Sequence, residues 1–353
     1  MHQEQFWQWV QENNLKETIK KNSKHFEYIV SDCLDIKREN ILVISDYGKE
    51  NNQIAPIFAG CFLKAIKSKK INLVMQPVKS KNQQADKVVI EALNNLPEKS
   101  IIIMCLSNML GKLGQLGKSY RKFCRSQKHK FTSTTGLGSL TNDQLNQVVK
   151  SLNTDYINLR ANGLRIKDIL DKAKEIKIKT KAGTNLILNV EDMKASTSTG
   201  LYNEPGRGGN IPTGEVFIPI RIRQAQGILV VDVSARHKDG TLLLKKPLII
   251  TIKQGKVTKL EGEGAELVEE TLAEAEQRAQ FPERIRLIGE FGIGLNPDAE
   301  IVGSTIIDEK VKGTAHIAIG SNYWYGGQIK TIIHLDQVFK DPEIFVDGEK
   351  LNL

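Results

Sequence analysis

A change of apolar period part-way along the chain restricts its fold more than any other feature. The front half carries compact, β-branched apolar runs, ILVIS at 41–45, INLVMQ at 71–76 and SIIIMCLS at 100–107. Such runs suit strands covered on both faces, and the stretches between them, such as NQIAPIFAGCFLKAIKSKK, have helical character. Strands alternating with helices predict a Rossmann-like α/β N-terminal domain with a mainly parallel sheet. Ahead of it, residues 1–30 read as an amphipathic helical opening with Phe6, Trp7, Val10, Leu15 and Ile19 at helical spacing. From about residue 175 the period becomes two. IKIKTKAGTNLILNV alternates about a Gly-containing turn, and GILVVDVSARHKDGTLLLKKPLIITIKQGKVTKLEG does the same. One helix interrupts this pattern, GAELVEETLAEAEQRA at 264–279. The second half is therefore expected to be an α+β domain with mainly antiparallel strands. A length of 353 residues suits two domains, and the pattern places them at 1–155 and 156–353.

Several functions are disfavoured at once. The strand ILVIS runs into DYGKENN, not into a glycine-rich phosphate loop, so the α/β character does not imply a nucleotide. The N-terminus mixes acids and amides among its aromatics, and no long apolar run follows, so neither a signal peptide nor a membrane span is expected. Cys33, Cys61, Cys105 and Cys124 lie far apart without CxxC spacing, which fits buried reduced thiols and a cytoplasmic location. The formal charge of +9 belongs to the front half, where residues 1–150 hold 23 Lys+Arg against 13 Asp+Glu. Its densest run is Lys118, Arg121, Lys122, Arg125, Lys128 and Lys130. No nucleic-acid-binding signature accompanies that run, so a solvated face is expected and nucleic acid is not.

The chemistry-bearing residues cluster in the second half. In TIIHLDQVF, period-two geometry puts His334 and Asp336 on one face while Leu335 points away. In GTAHIAIGSNYWYGG, His316 lies on an apolar strand and Tyr323 follows the turn at Gly320. Imidazole, carboxylate and phenol are donors for divalent metals in hydrolytic sites. Glu215 in GRGGNIPTGEVFIP and Glu290 in LIGEFGIGLNP sit in glycine-rich sequence, as close backbone packing around a site would require. Arg207 is a candidate for a substrate carboxylate, Asp308 and Glu309 for orienting His316, and His237 has the setting of a hairpin-turn residue.

Taken in order, NIPTGEVF, GEFGIGLNP, DEKVKGTAHIAIG, the following Tyr323 and IIHLD resemble the signature blocks of the aminopeptidase T family, the thermophilic metal-dependent aminopeptidases. The similarity is close over about residues 200–340 and general over the shorter N-terminal half. It implies that Glu215, Glu290, His316, Tyr323, His334 and Asp336 surround two divalent ions, zinc, cobalt or manganese. Leu335 departs from the tryptophan found there in many relatives. The resemblance further implies a cytoplasmic homodimer acting on small peptides as a metallopeptidase, that is, a protease and hydrolase. A metal-bridged water would attack the scissile carbonyl, Tyr323 would stabilise the oxyanion, and Glu215 or Glu290 would shuttle the proton.

Two other readings compete. A ring-opening dioxygenase of the same superfamily uses one iron and keeps the His-x-Asp pair with an upstream histidine. Glu215 and Glu290 together weigh towards two metals, because a site of two histidines and one carboxylate does not need them. The third reading is a non-catalytic binding protein whose basic front half meets an acidic partner.

Overall fold

In the computed structural model, residues 3–68, 70–79, 83–116 and 119–353 are described. The chain divides into two compact units, one of residues 1–153 with 200–213 and the other of 154–199 with 214–353.

The apolar runs of the first unit form a parallel sheet. Ile101–Cys105 is its middle strand, flanked by Ile41–Asp46 and then Ile71–Gln76 on one side and by Lys130–Thr134 on the other. A fifth strand, Gly208–Asn210, comes from the returning segment and pairs in parallel with Phe131–Ser133. Both faces of Ile41–Asp46 are buried along its full length, which accounts for the unbroken apolar run at its start. On one face Leu42, Ile44, Ile102 and Met104 pack with Val89, Leu93 and Phe123. Elsewhere in this unit Phe26 meets Phe58 and Phe62 edge-on, at centroid distances of 4.9 and 4.8 Å. The helical opening forms as Gln3–Glu12 and Lys16–Asn22, with Phe6, Val10, Leu15 and Ile19 buried. The four cysteines are buried and unbridged.

The second unit holds two seven-stranded antiparallel sheets. One contains the expected hairpins, with Ile176, Ile178, Leu186, Leu188, Leu248, Ile250 and Ile252 buried at every second position. The expected helix is Ala265–Arg278, and it buries Val268, Thr271, Leu272 and Ala275 at helical spacing. The other sheet carries the candidate site. Its central order is Ser234–His237, His334–Lys340, Thr314–Gly320, Ile288–Gly294, Glu215–Pro219 and Ser196–Ser198. The helix Tyr156–Leu170 begins at Asp155, whose carboxylate accepts from the Ile157 and Asn158 amides at 3.0 and 3.1 Å. Its Gly163 lies so close to this sheet that a Cβ there would stand 2.8 Å from the Thr199 methyl.

The architecture is the expected one, parallel α/β followed by antiparallel α+β. No described helix is long and apolar enough to cross a membrane. The basic run divides. Arg121, Lys122, Arg125 and Lys128 are exposed. Lys130 is buried, 2.6 Å from Glu39 and donating to the Asp35 carbonyl at 2.9 Å, so it belongs to the interior and not to a solvated face. Lys118 lies outside the described residues.

Candidate metal centre

Register in the central sheet decides which side chains meet. Glu290 pairs across to Ala318, and Ala318 pairs in turn to Asp336. His316 is opposite Gly292, Gly320 is opposite His334, and Glu215 is opposite Gly294. Residues directly opposite in antiparallel strands share a face, so Glu215, Glu290, His316, His334 and Asp336 all project to one side. Small residues, Gly292, Gly294, Ala318 and Gly320, stand among them, and Phe217 and Val338 share the same face opposite Gly292 and His316. The other side carries Val216, Ile218, Phe291, Ile293, Ile317, Ile319, Leu335 and Phe339, all buried. The strands are thus held by an apolar face while the opposite face is cleared for polar groups.

Gly292 shows how tight the clearance is. A Cβ built there would lie 2.1 Å from Cε1 and 2.3 Å from Nε2 of His316, so the imidazole occupies the volume that a side chain at 292 would need. Gly214 serves the approach to Glu215. Its φ of +128° suits glycine, and a Cβ would stand 2.7 Å from the Asn296 Cβ.

The donors gather into two groups, each with its candidate ligand atoms within 4.8 Å of one another: Glu290, His334 and Asp336, and Glu215, Glu309 and His316. In the first, His334 Nδ1–H donates to the Ser321 carbonyl at 2.8 Å. That bond fixes the tautomer and leaves Nε2 as the free ligand atom. Nε2 lies 3.1 Å from Asp336 Oδ1 and 3.9 Å from Glu290 Oε2. Glu290 turns its other oxygen, Oε1, to His316 Nε2 at 3.0 Å. Buried His316 Nδ1 has no hydrogen-bond partner. In the second group the ammonium of Lys310 lies 2.6 Å from Glu215 Oε1 and pairs also with Glu309.

The electrostatics follow from this crowding. Burial opposes charge on His334, but Asp336 and Glu290 push its imidazole up to about 10. Burial likewise opposes charge on His316, which the bond to Glu290 and the charges of Glu309 and Asp336 raise to about 9. Burial works against the Asp336 carboxylate, yet His334 holds it well below the usual range. Burial pushes Glu309 up and Lys310 pulls it down, with a net upward shift because Asp336 and Glu215 add negative charge. Burial disfavours the Lys310 ammonium, and Glu215 and Glu309 keep it charged nonetheless.

Five of the six residues expected at the site are therefore brought together: Glu215, Glu290, His316, His334 and Asp336. Tyr323 is not among them. It is 58% exposed, with the Lys330 ammonium 5.8 Å from its ring centroid. Two residues on, Tyr325 is half-buried, with its hydroxyl enclosed and towards Glu290. Burial first, and then the Glu290 charge, push its phenol well above its ordinary value. The intervening Trp324, half exposed, sets its ring edge-on to His334 with centroids 4.8 Å apart. Glu309, a candidate only for orienting His316, stands with Glu215 and His316 as a donor in its own right. Asp308 does not orient His316; it accepts from the Val302 and Gly303 amides at 2.8 and 3.2 Å and shapes its own loop. Arg207 is exposed and pairs with Glu204 at 3.6 Å in the first unit. His237 ends a strand at a hairpin, as its sequence suggested. Lys310, Tyr325 and half-buried Arg236, on which Asp336 and Glu309 act, carry no sequence signal that marks them.

A divalent ion suits the Glu290, His334 and Asp336 group on its donors alone: two carboxylates, one of them with a buried oxygen 3.1 Å from the imidazole, and an imidazole whose tautomer is already set. The set has one histidine, or two if His316 exchanges its bond to Glu290 for a metal.

A family model described as NicX, 2,5-dihydroxypyridine 5,6-dioxygenase, matches residues 23–352 of this chain. The 2,5-dihydroxypyridine 5,6-dioxygenase of Pseudomonas putida KT2440 is 26% identical over 199 residues, 54% of this chain and 56% of that protein, so the chain spans about half the length of this curated relative. The structure of 2,5-dihydroxypyridine dioxygenase from Pseudomonas putida KT2440 superposes with a TM-score of 0.70 at 18% identity, covering 95% of this chain and 96% of that one. Wild-type AmpT from Thermus thermophilus superposes with a TM-score of 0.61 at 12% identity, covering 96% and 97%. The fold is thus common to a dioxygenase and to AmpT, and the likeness to AmpT extends to the fold alone. The family match and the curated relative overturn the expected peptide hydrolysis, and with it the aminopeptidase, protease and hydrolase assignments. The ring-opening alternative fits them. The physical reason is that the ordered sequence blocks build the strands, turns and glycine clearances of the shared scaffold. They carry no record of the bond being broken.

Proposed function

The chain belongs to the 2,5-dihydroxypyridine 5,6-dioxygenase (NicX) family, and from that premise we propose that it is a metal-dependent dioxygenase that opens the ring of a hydroxylated pyridine. The observation that carries this reading beyond the family match is the Glu290, His334 and Asp336 group, with the His334 tautomer set by Ser321. We assign it one iron(II) per chain, held by these three residues. Bound there, iron(II) would bind dioxygen and the ring hydroxyl together and pass electrons from the ring to dioxygen, which protein side chains cannot do.

The remaining work falls to the chain. Ser321 holds the His334 ring in one orientation. His316 takes one oxygen of Glu290, which leaves the other directed at His334. Tyr325, facing Glu290 and kept protonated by burial and by that charge, is placed to donate a hydrogen bond to a ring hydroxyl or its anion. Trp324 sets a flat, half-exposed apolar surface beside His334, suited to the face of a planar heterocycle.

The test is oxygen uptake by iron-reconstituted protein supplied with 2,5-dihydroxypyridine. One dioxygen should be consumed per ring opened, with both oxygen atoms in the product, and His334→Ala should consume none. A folded, iron-loaded protein that takes up no oxygen with any dihydroxypyridine would sink the proposal.

A further inference from the structure

The two acidic groups on this sheet differ in what balances their charge. The Glu290, His334 and Asp336 group is balanced by imidazole, which is itself a metal ligand once its nitrogen is free. The Glu215, Glu309 and His316 group is balanced by an ammonium. Lys310 Nζ lies 2.6 Å from Glu215 Oε1 and pairs with Glu309, and the side chain is 0% exposed. An ammonium has three donors and no acceptor, so it can counter carboxylates but cannot ligate.

The backbone holds Lys310 in that place. Its amide donates to the Ile307 carbonyl at 2.9 Å, and its carbonyl accepts from the Asn296 amide at 2.8 Å. Gly294 lets the loop lie against the sheet. A Cβ there would stand 2.2 Å from the Val311 carbonyl oxygen and 3.0 Å from that of Glu309. Because Gly294 is also the residue opposite Glu215, the same contact delivers Lys310 to that carboxylate. Arg236, half-buried and within electrostatic reach of Asp336 and Glu309, adds a second cation.

We propose that the Lys310 ammonium takes the part of a second metal ion, occupying the Glu215, Glu309 and His316 group so that the centre admits a single divalent ion. The inference rests on the reading that the Glu290, His334 and Asp336 group binds a metal. A second divalent ion among Glu215, Glu309 and His316 would lie against an ammonium with no room to withdraw and would compete with it for both carboxylates. The glycine-rich approach to Glu215 then serves an internal ion pair, and the scaffold becomes mononuclear through one lysine.

Manganese(II) loading tests this without reference to turnover. The full chain is saturated with manganese(II), freed of excess by desalting, and read by elemental analysis and electron paramagnetic resonance. Wild type should retain one ion per chain with the spectrum of isolated manganese, and Lys310→Arg, which keeps a cation, should do the same. Lys310→Met should retain two, with an exchange-coupled spectrum. Two ions in wild type would overturn the proposal while leaving the metal centre intact, and one ion in folded Lys310→Met would overturn it equally. No ion in wild type would defeat the metal-centre reading and this inference with it. Lys310→Met leaves two buried carboxylates without their cation, so it is expressed with manganese present. Should it still fail to fold, the wild-type titration decides alone: one ion at saturation upholds the proposal and two overturn it.

Discussion

Two aspartates, buried Asp46 and half-buried Asp336, one in each unit, show how differently a carboxylate can be held in this protein. Asp46 ends the parallel strand Ile41–Asp46 and accepts from the Ser107 amide at 2.8 Å, the Ser107 hydroxyl at 2.6 Å and the Gly48 amide at 2.9 Å. All three donors are neutral and fixed, and burial still outweighs them, so its carboxyl is raised. Asp336 is held below the carboxylate range against burial by an ionisable neighbour, His334, whose Nε2 lies 3.1 Å from its Oδ1. Neutral fixed donors close a loop. An ionisable partner that is itself a ligand leaves a group that a metal ion can claim. The contrast separates a structural acid from a functional one better than burial or sequence motif does.

The comparison breaks most visibly at Asp336. Asp336→Asn should lower metal-dependent turnover about a thousandfold or more, with the folded chain retained by circular dichroism. Activity within tenfold of wild type would place the centre elsewhere. Asp46→Ala should do the reverse, leaving turnover of the surviving folded protein near wild type. It should cost about 2–3 kcal/mol in urea unfolding, because the Ser107 and Gly48 amides lose their acceptor. An unchanged midpoint would show those bonds to be dispensable.

Gly292→Ala sharpens the comparison from the backbone side. The new methyl competes with the His316 ring, so metal affinity should fall about 10–100-fold and stability by about 1–3 kcal/mol, read by competitive chelation and urea titration. Wild-type affinity would mean that the ring has another place to go. The smallest effect is expected from the aromatic pair: Tyr325→Phe should slow turnover about tenfold, whereas Tyr323→Phe should change it less than about twofold. Equal rates for the two variants would remove Tyr325 from the site.

Much of this was legible in the chain. Unbroken apolar runs such as ILVIS gave the parallel sheet because a strand covered on both faces has no reason to alternate. Period two from residue 175 gave the antiparallel sheets. His334 and Asp336 could be placed on one face with Leu335 behind them, since a strand allows no other arrangement. The aromatic of the site was not legible. NYWYGG offers two tyrosines within a turn, and the local 3₁₀ geometry over Tyr323–Tyr325 decides which ring turns inward. Lys310 looked like one more charge in DEKVKG, because its partner Glu215 is far away in sequence. Lys130 was misread for the same reason, having a partner in Glu39. The strand Gly208–Asn210 was missed because three small polar residues carry no strand signal of their own. The reaction was not legible either, since sequence blocks that build a common scaffold are shared by proteins of different chemistry.

The overlap between the His316 ring and the missing side chain of residue 292 has an evolutionary consequence. The two positions occupy one volume, so they form a single heritable choice. A lineage that exchanges His316 for a small residue frees position 292 to drift, whereas a lineage that first acquires a side chain at 292 has closed the way back to histidine at 316. Across diverging descendants of this chain, glycine at 292 and histidine at 316 should therefore be gained and lost together, and the order of loss should run from 316 to 292.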